Sequence, residues 1–210
     1  MAIRKCTERL HELYRNLGAT TRLIPAAKIL WPNPTSDPPG STEGIPELEF
    51  FSKVDRSTGA PINQTILNEE NKGHAMYLAR MRNEDGTSTK NVFVKFAVKY
   101  DAATHRLLAN NNPPLAPALY SCTPVLGGMF MVIVEYFPGA SLRDAPSPLP
   151  VAVYEAVRRD VSRALELLHE QDLVFGHLVE ENLLYLPEDV GRALLVDFEN
   201  VGRVPSLFRP

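Results

Sequence analysis

The chain has 210 residues, enough for one well-packed core and an extension but hardly for two domains. Hydrophobic residues make up 44% and charged residues 22% of it, as in an ordinary globular protein. A net charge of −3 gives no electrostatic reason to expect nucleic acid or an anionic membrane as a ligand. Because neither a signal peptide nor a membrane-spanning apolar run is visible, we expect an intracellular protein, in the cytoplasm or nucleus.

The first 45 residues are predicted to form an extension. Within residues 3–17 the apolar positions recur at spacings of three and four: Ile3, Cys6, Leu10, Leu13 and Leu17. We expect this helix to dock on the rest of the chain, with a helix that binds a partner or a membrane as the alternative. A proline-rich run follows Trp31 and lacks the apolar content of a core, which predicts an irregular linker. The predicted domains are therefore 1–45, helix and linker, and 46–210.

A β-rich region comes next. Residues 46–54 favour a short helix or a strand, 75–81 and 91–98 favour strands, and Gly86 closes a hairpin signal between them. On the strand at 91–98, alternation places Phe93 and Lys95 on one face. The other face is predicted to carry Val92, Val94, Phe96 and Val98. A lysine within an apolar strand needs a partner or a ligand unless it faces solvent.

The remaining pattern alternates between helices and strands. Helices are predicted over 102–109 and 153–170, and strands over 118–122, 129–136, 183–186 and 193–196. The longer helix has an apolar stripe: Val153, Val157, Val161, Ala164 and Leu168. The order is thus a β-rich part, a long helix and a β-hairpin that ends in Asp197.

Four features in this order carry a family resemblance. A strand holds Lys95, a short helix holds His105, and a loop places Asn182 five residues after His177. The pair of Asp197 and a phenylalanine then follows the hairpin, at about the distance from Lys95 that separates the strand lysine from the metal-binding Asp in protein kinases. Residues 60–205 resemble the protein-kinase-like superfamily. Their sequence is similar to those of small kinase-like proteins of mushroom-forming fungi.

The resemblance implies both a fold and a site. The fold class is α+β: a kinase-like N-lobe of antiparallel sheet plus helix, and a truncated C-lobe of one long helix and a β-hairpin. By the same resemblance, Lys95 would hold the phosphates of ATP, while Asn182 and Asp197 would hold Mg²⁺. Glu135 to Phe137 would form the hinge beside the adenine.

Several residues depart from the kinase pattern. His177 stands where the catalytic Asp belongs, and residues 68–74 offer a single glycine, Gly73, together with two acidic residues. Phe93 replaces the small residue that lies against the adenine. The helix over 102–109 has no glutamate to pair with the strand lysine, and Glu199 replaces the glycine after Asp-Phe. No catalytic residue is therefore assigned.

Three functions follow, and the first is our prediction. It is a pseudokinase that acts as a binding or regulatory module, with at most weak binding of ATP and Mg²⁺. The second is an active phosphotransferase for a protein or a small molecule, with an atypical site. The third is a structural module without nucleotide, in which Lys95 pairs with Asp197. We expect a protein partner or self-association through an apolar face at 153–168 that the truncated lobe leaves partly uncovered.

Overall fold

The computed structural model describes residues 31–37, 45–54, 61–62, 75–82, 86, 88–137, 140–145, 147–186 and 191–203. All elements given below belong to one of the two units into which the chain divides, Pro32–Pro210. The predicted helix at 3–17 and the loop at 68–74 lie outside the described residues. The domain boundary at residue 45 stays a prediction.

The first lobe is built on a six-stranded antiparallel sheet with the order β2-β1-β3-β4-β6-β5. Its strands are β1 (Leu48–Val54), β2 (Pro61–Ile62), β3 (Met76–Arg82), β4 (Thr89–Ala97), β5 (Leu119–Val125) and β6 (Met129–Glu135). The open choice for residues 46–54 is thereby resolved as a strand. Part of the predicted linker runs beside β5, where the N–H of Leu126 donates to the carbonyl of Thr35 at 2.9 Å.

Strand β4 follows the predicted alternation except at its end. Val92 and Val94 are fully buried on one face, and Phe93 and Lys95 are half-buried on the other. The placement of Val98 is wrong, because β4 ends at Ala97 and Val98 is 77% exposed in the bend that follows. Alternation holds only while the strand continues.

A short helix, α1 (Ala102–Ala109), connects β4 to β5, as the sequence predicts. Asp101 caps its N-terminus, since Oδ1 accepts a hydrogen bond from the N–H of Thr104 at 2.9 Å. The side chains of His105 and Leu108 on this helix are buried, and both point into the molecule. The helix is therefore fixed at its start and along one face.

The second lobe contains one long helix and short strands. They are β7 (Ala140–Ser141), α2 (Val151–His169), β8 (Leu173–Phe175), β9 (Leu183–Leu186), β10 (Arg192–Leu195) and β11 (Val201–Arg203). One sheet has the order β10-β9-β7, and β8 pairs with β11. Among the described residues, neither helix is long and apolar enough to cross a membrane.

The apolar stripe of α2 is largely buried within the lobe, with Val153 and Val161 on it half-buried. Val157, Ala164 and Leu168 are buried, because α2 packs against β8, β10 and α1. Strands after the helix fold back onto this face, and periodicity along the helix does not reveal that. Only the first turn of α2 leaves large apolar side chains exposed, with Val151 at 78% and Tyr154 at 56%.

A buried carboxylate joins α2 to β10. Asp160 is 4% exposed, and its Oδ2 accepts a hydrogen bond from the N–H of Ala193 at 3.2 Å and from Nε of Arg192 at 3.3 Å. Ala193 is fully buried, so its N–H needs an acceptor inside the protein. Sequence reasoning missed Asp160, although its spacing of three from Val157 places it on the buried side of the helix.

We expect Asp160→Ala to lower the free energy of unfolding by about 3 kcal/mol, since it leaves the N–H of Ala193 without an acceptor and breaks a buried ion pair. Asp160→Asn keeps an acceptor and should cost less. The control is Glu155→Ala, which removes an exposed carboxylate 3.4 Å from Arg158 and should change stability by less than about 0.5 kcal/mol. Equal losses for the two alanine variants in urea unfolding would contradict the assignment.

Candidate functional site

The predicted lysine and the predicted metal-binding aspartate meet in the structure. Nζ of Lys95 donates to Oδ1 of Asp197 at 2.7 Å, although 102 residues separate them. Their side chains are only 16% and 13% exposed, so the pair is partly desolvated. The contact links the middle of β4 to the end of the β9–β10 hairpin.

A second carboxylate contacts the same lysine. Oε1 of Glu199 forms an ion pair with Nζ of Lys95, and the Glu199 side chain is 31% exposed. The sequence shows this residue only as a replacement for glycine, and it gives no partner for the lysine in the neighbouring helix. The helix indeed carries no glutamate for Lys95, and the structure supplies a carboxylate partner from the second lobe instead.

The backbone at Asp197 is what turns its carboxylate towards Lys95. Asp197 has φ +70° and ψ +71°, in the left-handed region, and a 3₁₀ turn over Phe198–Asn200 follows it. A non-glycine residue pays about 1 kcal/mol for this conformation. The burial of Phe198 immediately after it holds the turn in place.

Phe198 is fully buried and forms the centre of an aromatic cluster. Its ring stacks on His105 with centroids 4.5 Å apart and an interplanar angle of 12°. Phe175 and Tyr100 pack edge-on at 5.6 Å and 6.2 Å. The N–H of Asp101 also donates to the carbonyl of Phe198 at 3.1 Å. Helix α1 is thus attached to the turn that carries the site.

His105 is neutral and its tautomer follows from its partners. Nε2 lies 2.8 Å from the carbonyl of Pro117, which can only accept, so Nε2 carries the proton. Nδ1 then accepts from the hydroxyl of Tyr100 at 2.8 Å. Burial lowers the pKa of His105 from 6.5 to about 4, because the charged ring would lose its hydration.

The loop with the predicted metal ligand Asn182 is held by hydrogen bonds. Nδ2 of Asn182 donates to the backbone carbonyl of His177 at 2.9 Å. The backbone carbonyl of Asn182 accepts from the N–H of Val196 at 2.9 Å. Asn182 is buried, whereas the side chain of His177 is exposed. Because Nδ2 is engaged in this way, Oδ1 is the atom of this side chain that could act as a metal ligand.

A close approach of two backbones sets the position of this loop. The N–H of Gly176 donates to the carbonyl of Asn200 at 2.8 Å. A Cβ on Gly176 would lie 2.5 Å from that oxygen, so only glycine fits between the loop and the turn after Asp197. His177 is therefore carried on a segment that is fixed against the turn holding Glu199.

The predicted hinge residues have structural contacts of their own. Oε2 of Glu135 accepts from the N–H of Ala118 at 3.2 Å, and the N–H of Glu135 donates to the Ala118 carbonyl at 2.9 Å. Phe137 is half-buried. Phe93 is also half-buried and lies on the Lys95 face of the sheet, paired across strands with Leu78. A role for Glu135 and Phe137 in binding adenine stays a prediction.

The donors near Asp197 are few. In the part of the chain that the structure describes, no group of three or more His, Cys, Asp or Glu side chains is arranged to hold a metal ion. The oxygens of Asn182 and Asp197 are of the type that Mg²⁺ prefers, but Oδ1 of Asp197 is engaged with Lys95. The donor set therefore fits Mg²⁺ in chemistry and lacks the carboxylates of a strong site.

Comparisons with known proteins support the fold. No protein-family model matches the chain. No curated protein matches its sequence. The structure is similar to that of the kinase PK-1 of Cydia pomonella granulovirus, with a TM-score of 0.56 and 21% identity. The match covers 75% of this chain and 53% of the viral kinase, so the chain spans about half the length of that protein.

The likeness, together with the strand order and the Lys95–Asp197 contact, defines a kinase-like fold of the α+β class. This confirms the fold class predicted from the sequence. At this level of identity the likeness concerns the fold alone. The narrower resemblance to fungal proteins stays a prediction.

We expect the stability of the protein to fall in acid through His105. The unfolded state takes up its proton near pH 6.5 and the folded state near pH 4, so between these values the unfolded state binds more protons. Stability from this group is complete above pH 6.5 and falls by about 3 kcal/mol as the pH drops to 4.

Unfolding in urea across this pH range tests the assignment. The difference in unfolding free energy between wild type and His105→Gln should shrink as the pH falls. The matched control is His169→Gln at the exposed end of α2, which removes a histidine without touching the aromatic cluster. A constant difference for His105→Gln would show that His105 does not titrate in this way.

Proposed function

We propose that this protein is a kinase-like pseudoenzyme, a binding or regulatory module that does not transfer phosphate. The observation that carries the proposal is that the single ammonium of Lys95 contacts two carboxylates, those of Asp197 and Glu199. His177 at the catalytic position adds to it. Glu199 and His177 both differ in charge from the residues of the kinase pattern. Phosphoryl transfer depends chiefly on the placement of charge.

The charge around Lys95 opposes the binding of phosphate. One positive and two negative charges leave a net charge of −1 in a partly buried site. Two unit charges 4 Å apart interact by about 4 kcal/mol at the effective dielectric constant typical near a protein surface. An added polyphosphate would have to separate Lys95 from at least one carboxylate, and this competes with its own attraction to the lysine.

Weak binding of a magnesium nucleotide is part of the proposal. Asn182 would offer Oδ1, since its Nδ2 is engaged with the carbonyl of His177, and Asp197 would offer its carboxylate. Lys95 would have to turn from Glu199 to the phosphates. When bound, ATP would bring a transferable phosphoryl group. In this chain no carboxylate stands at position 177 to accept a proton from a substrate hydroxyl.

The second candidate is an active phosphotransferase, and one observation favours it. Nδ1 of His177 lies 3.3 Å from Nδ2 of Asn182, so the imidazole is held near the predicted metal ligand. A histidine can serve as a general base near neutral pH. The activity would then depend on His177 as well as on Asp197.

The partner in our proposal is a protein, either a different chain or a second copy. The buried stripe of α2 is unsuited to this role, whereas Val151 and Tyr154 in its first turn are exposed. Sedimentation of the purified protein would show whether copies associate. A concentration-dependent increase in mass that Tyr154→Ala removes would favour self-association.

We expect no phosphoryl transfer when the protein is incubated with Mg-ATP and a generic protein substrate. The matched control is Asp197→Ala, which removes the predicted metal ligand, and the wild type should not exceed it. Radiolabelled phosphate on the substrate or on the protein itself is the readout. Turnover that disappears in both Asp197→Ala and His177→Ala would overturn the proposal in favour of the second candidate.

We expect only a small thermal shift with Mg-ATP. A ligand at a concentration equal to its Kd stabilises a protein by about 0.4 kcal/mol, or about 1–2 °C for a domain of this size. With millimolar ATP the shift should be no larger, and Lys95→Ala should remove it. A shift of many degrees would indicate a strong nucleotide site, and no shift at all would favour a structural module.

A further inference from the structure

We propose that Glu199 is a built-in anionic ligand of Lys95, whose carboxylate occupies the subsite where this fold would receive a phosphate. The ligands that it keeps out are polyphosphates with a divalent cation, nucleotides among them. The inference rests on the proposed function and deepens it, because it names the residue that keeps the affinity for nucleotide low.

The geometry around Nζ of Lys95 leaves little room for a ligand. A lysine ammonium has three protons to donate. One is directed to Oδ1 of Asp197 at 2.7 Å and a second to Oε1 of Glu199, which is in direct contact. The Lys95 side chain is only 16% exposed, and contacts with these two carboxylates engage two of its three donors.

The charges also favour closure of the site, by which we mean the arrangement in which Lys95 contacts both Asp197 and Glu199. In the described part of the chain, neither Asp197 nor Glu199 forms an ion pair with a second cation. Lys95 therefore balances only one of the two negative charges, and the remaining one repels an approaching phosphate. Removal of the charge on Glu199 alone would leave a neutral Lys95–Asp197 pair, which no longer repels a phosphate.

Glu199 is the carboxylate that can move. Its side chain is 31% exposed, compared with 13% for Asp197, and it is longer by one rotatable bond. Asp197 is fixed by its left-handed backbone and by the buried ring of Phe198 beside it. A rotation of the Glu199 side chain towards solvent exposes Lys95 without moving the backbone of the turn.

The same contact has an opposite interpretation. Helix α1 has no acidic residue, so Glu199 could be the carboxylate that holds Lys95 ready for a phosphate. Asp197 already holds the lysine at 2.7 Å, however, and a second carboxylate is not needed for that purpose. Closure predicts that removal of the Glu199 charge increases the affinity for polyphosphate, and positioning predicts that it decreases the affinity.

The test measures binding of Mg-ATP, and of inorganic tripolyphosphate with Mg²⁺, to the full chain by titration calorimetry. Glu199→Gln keeps the shape of the side chain and removes its charge. We expect its affinity for both ligands to rise about tenfold or more over wild type, the size expected for one charge beside a phosphate. Where wild-type binding is too weak to measure, the gain appears as measurable binding by the variant.

Two controls assign the gain to Lys95. The double variant Glu199→Gln with Lys95→Met should lose it. Glu166→Gln removes one negative charge from the exposed side of α2, 3.4 Å from Arg163, and should show no gain. A gain in Glu166→Gln equal to that in Glu199→Gln would mean that net charge is the cause, and this would overturn the proposal.

An unchanged or reduced affinity of Glu199→Gln for both ligands overturns closure, and a reduced affinity assigns Glu199 to the positioning of Lys95. Glu199→Asp, which is shorter and keeps the charge, should show a smaller gain and provides the second test if the circular dichroism of Glu199→Gln differs from wild type. Phosphoryl transfer is measured on the same samples. Turnover by the wild type would overturn the proposed function, whereas the affinity ratio of the variants tests closure separately.

Discussion

The ion pair between Lys95 and Asp197 is the contact on which the site depends. The apolar alternation of β4 places the lysine on a half-buried face, where an ammonium is costly without a partner. The partner comes from 102 residues further along the chain, at the end of a hairpin in the second lobe. The left-handed backbone of Asp197 is tolerated because it brings the carboxylate to this lysine.

Three consecutive residues then alternate between the site and the core. Asp197 and Glu199 both reach Lys95, while Phe198 between them points into the core. The buried ring stacks on His105, whose neutral state follows from burial and from its two hydrogen bonds. Helix α1 is therefore attached to the site by aromatic packing and backbone contacts, and an ion pair from this helix to the strand lysine is not required.

Stability and chemistry make opposite demands at this site. A second carboxylate beside Lys95 gives the ammonium another partner and holds the turn against the sheet. The same carboxylate adds negative charge at the proposed phosphate subsite. A kinase-like fold is compatible with either outcome, since function depends on the side chains that the fold carries. In this chain the changed residues, His177 and Glu199, both alter charge and leave the backbone pattern intact.

The sequence by itself determined the fold class and most of the larger elements. Local patterns predicted β4, α1 and α2, and the spacing of Lys95 and Asp197 supported the resemblance to kinases, with their pairing as one alternative. Tertiary structure alone decided that Val98 is exposed and that the stripe of α2 is covered. Tertiary structure also decided the second partner of Lys95. Glu199 lies two residues after the predicted site residue Asp197, yet the direction of its side chain depends on the left-handed turn at Asp197. Periodicity records which residues share a face, whereas coverage and ion pairing depend on segments distant in sequence.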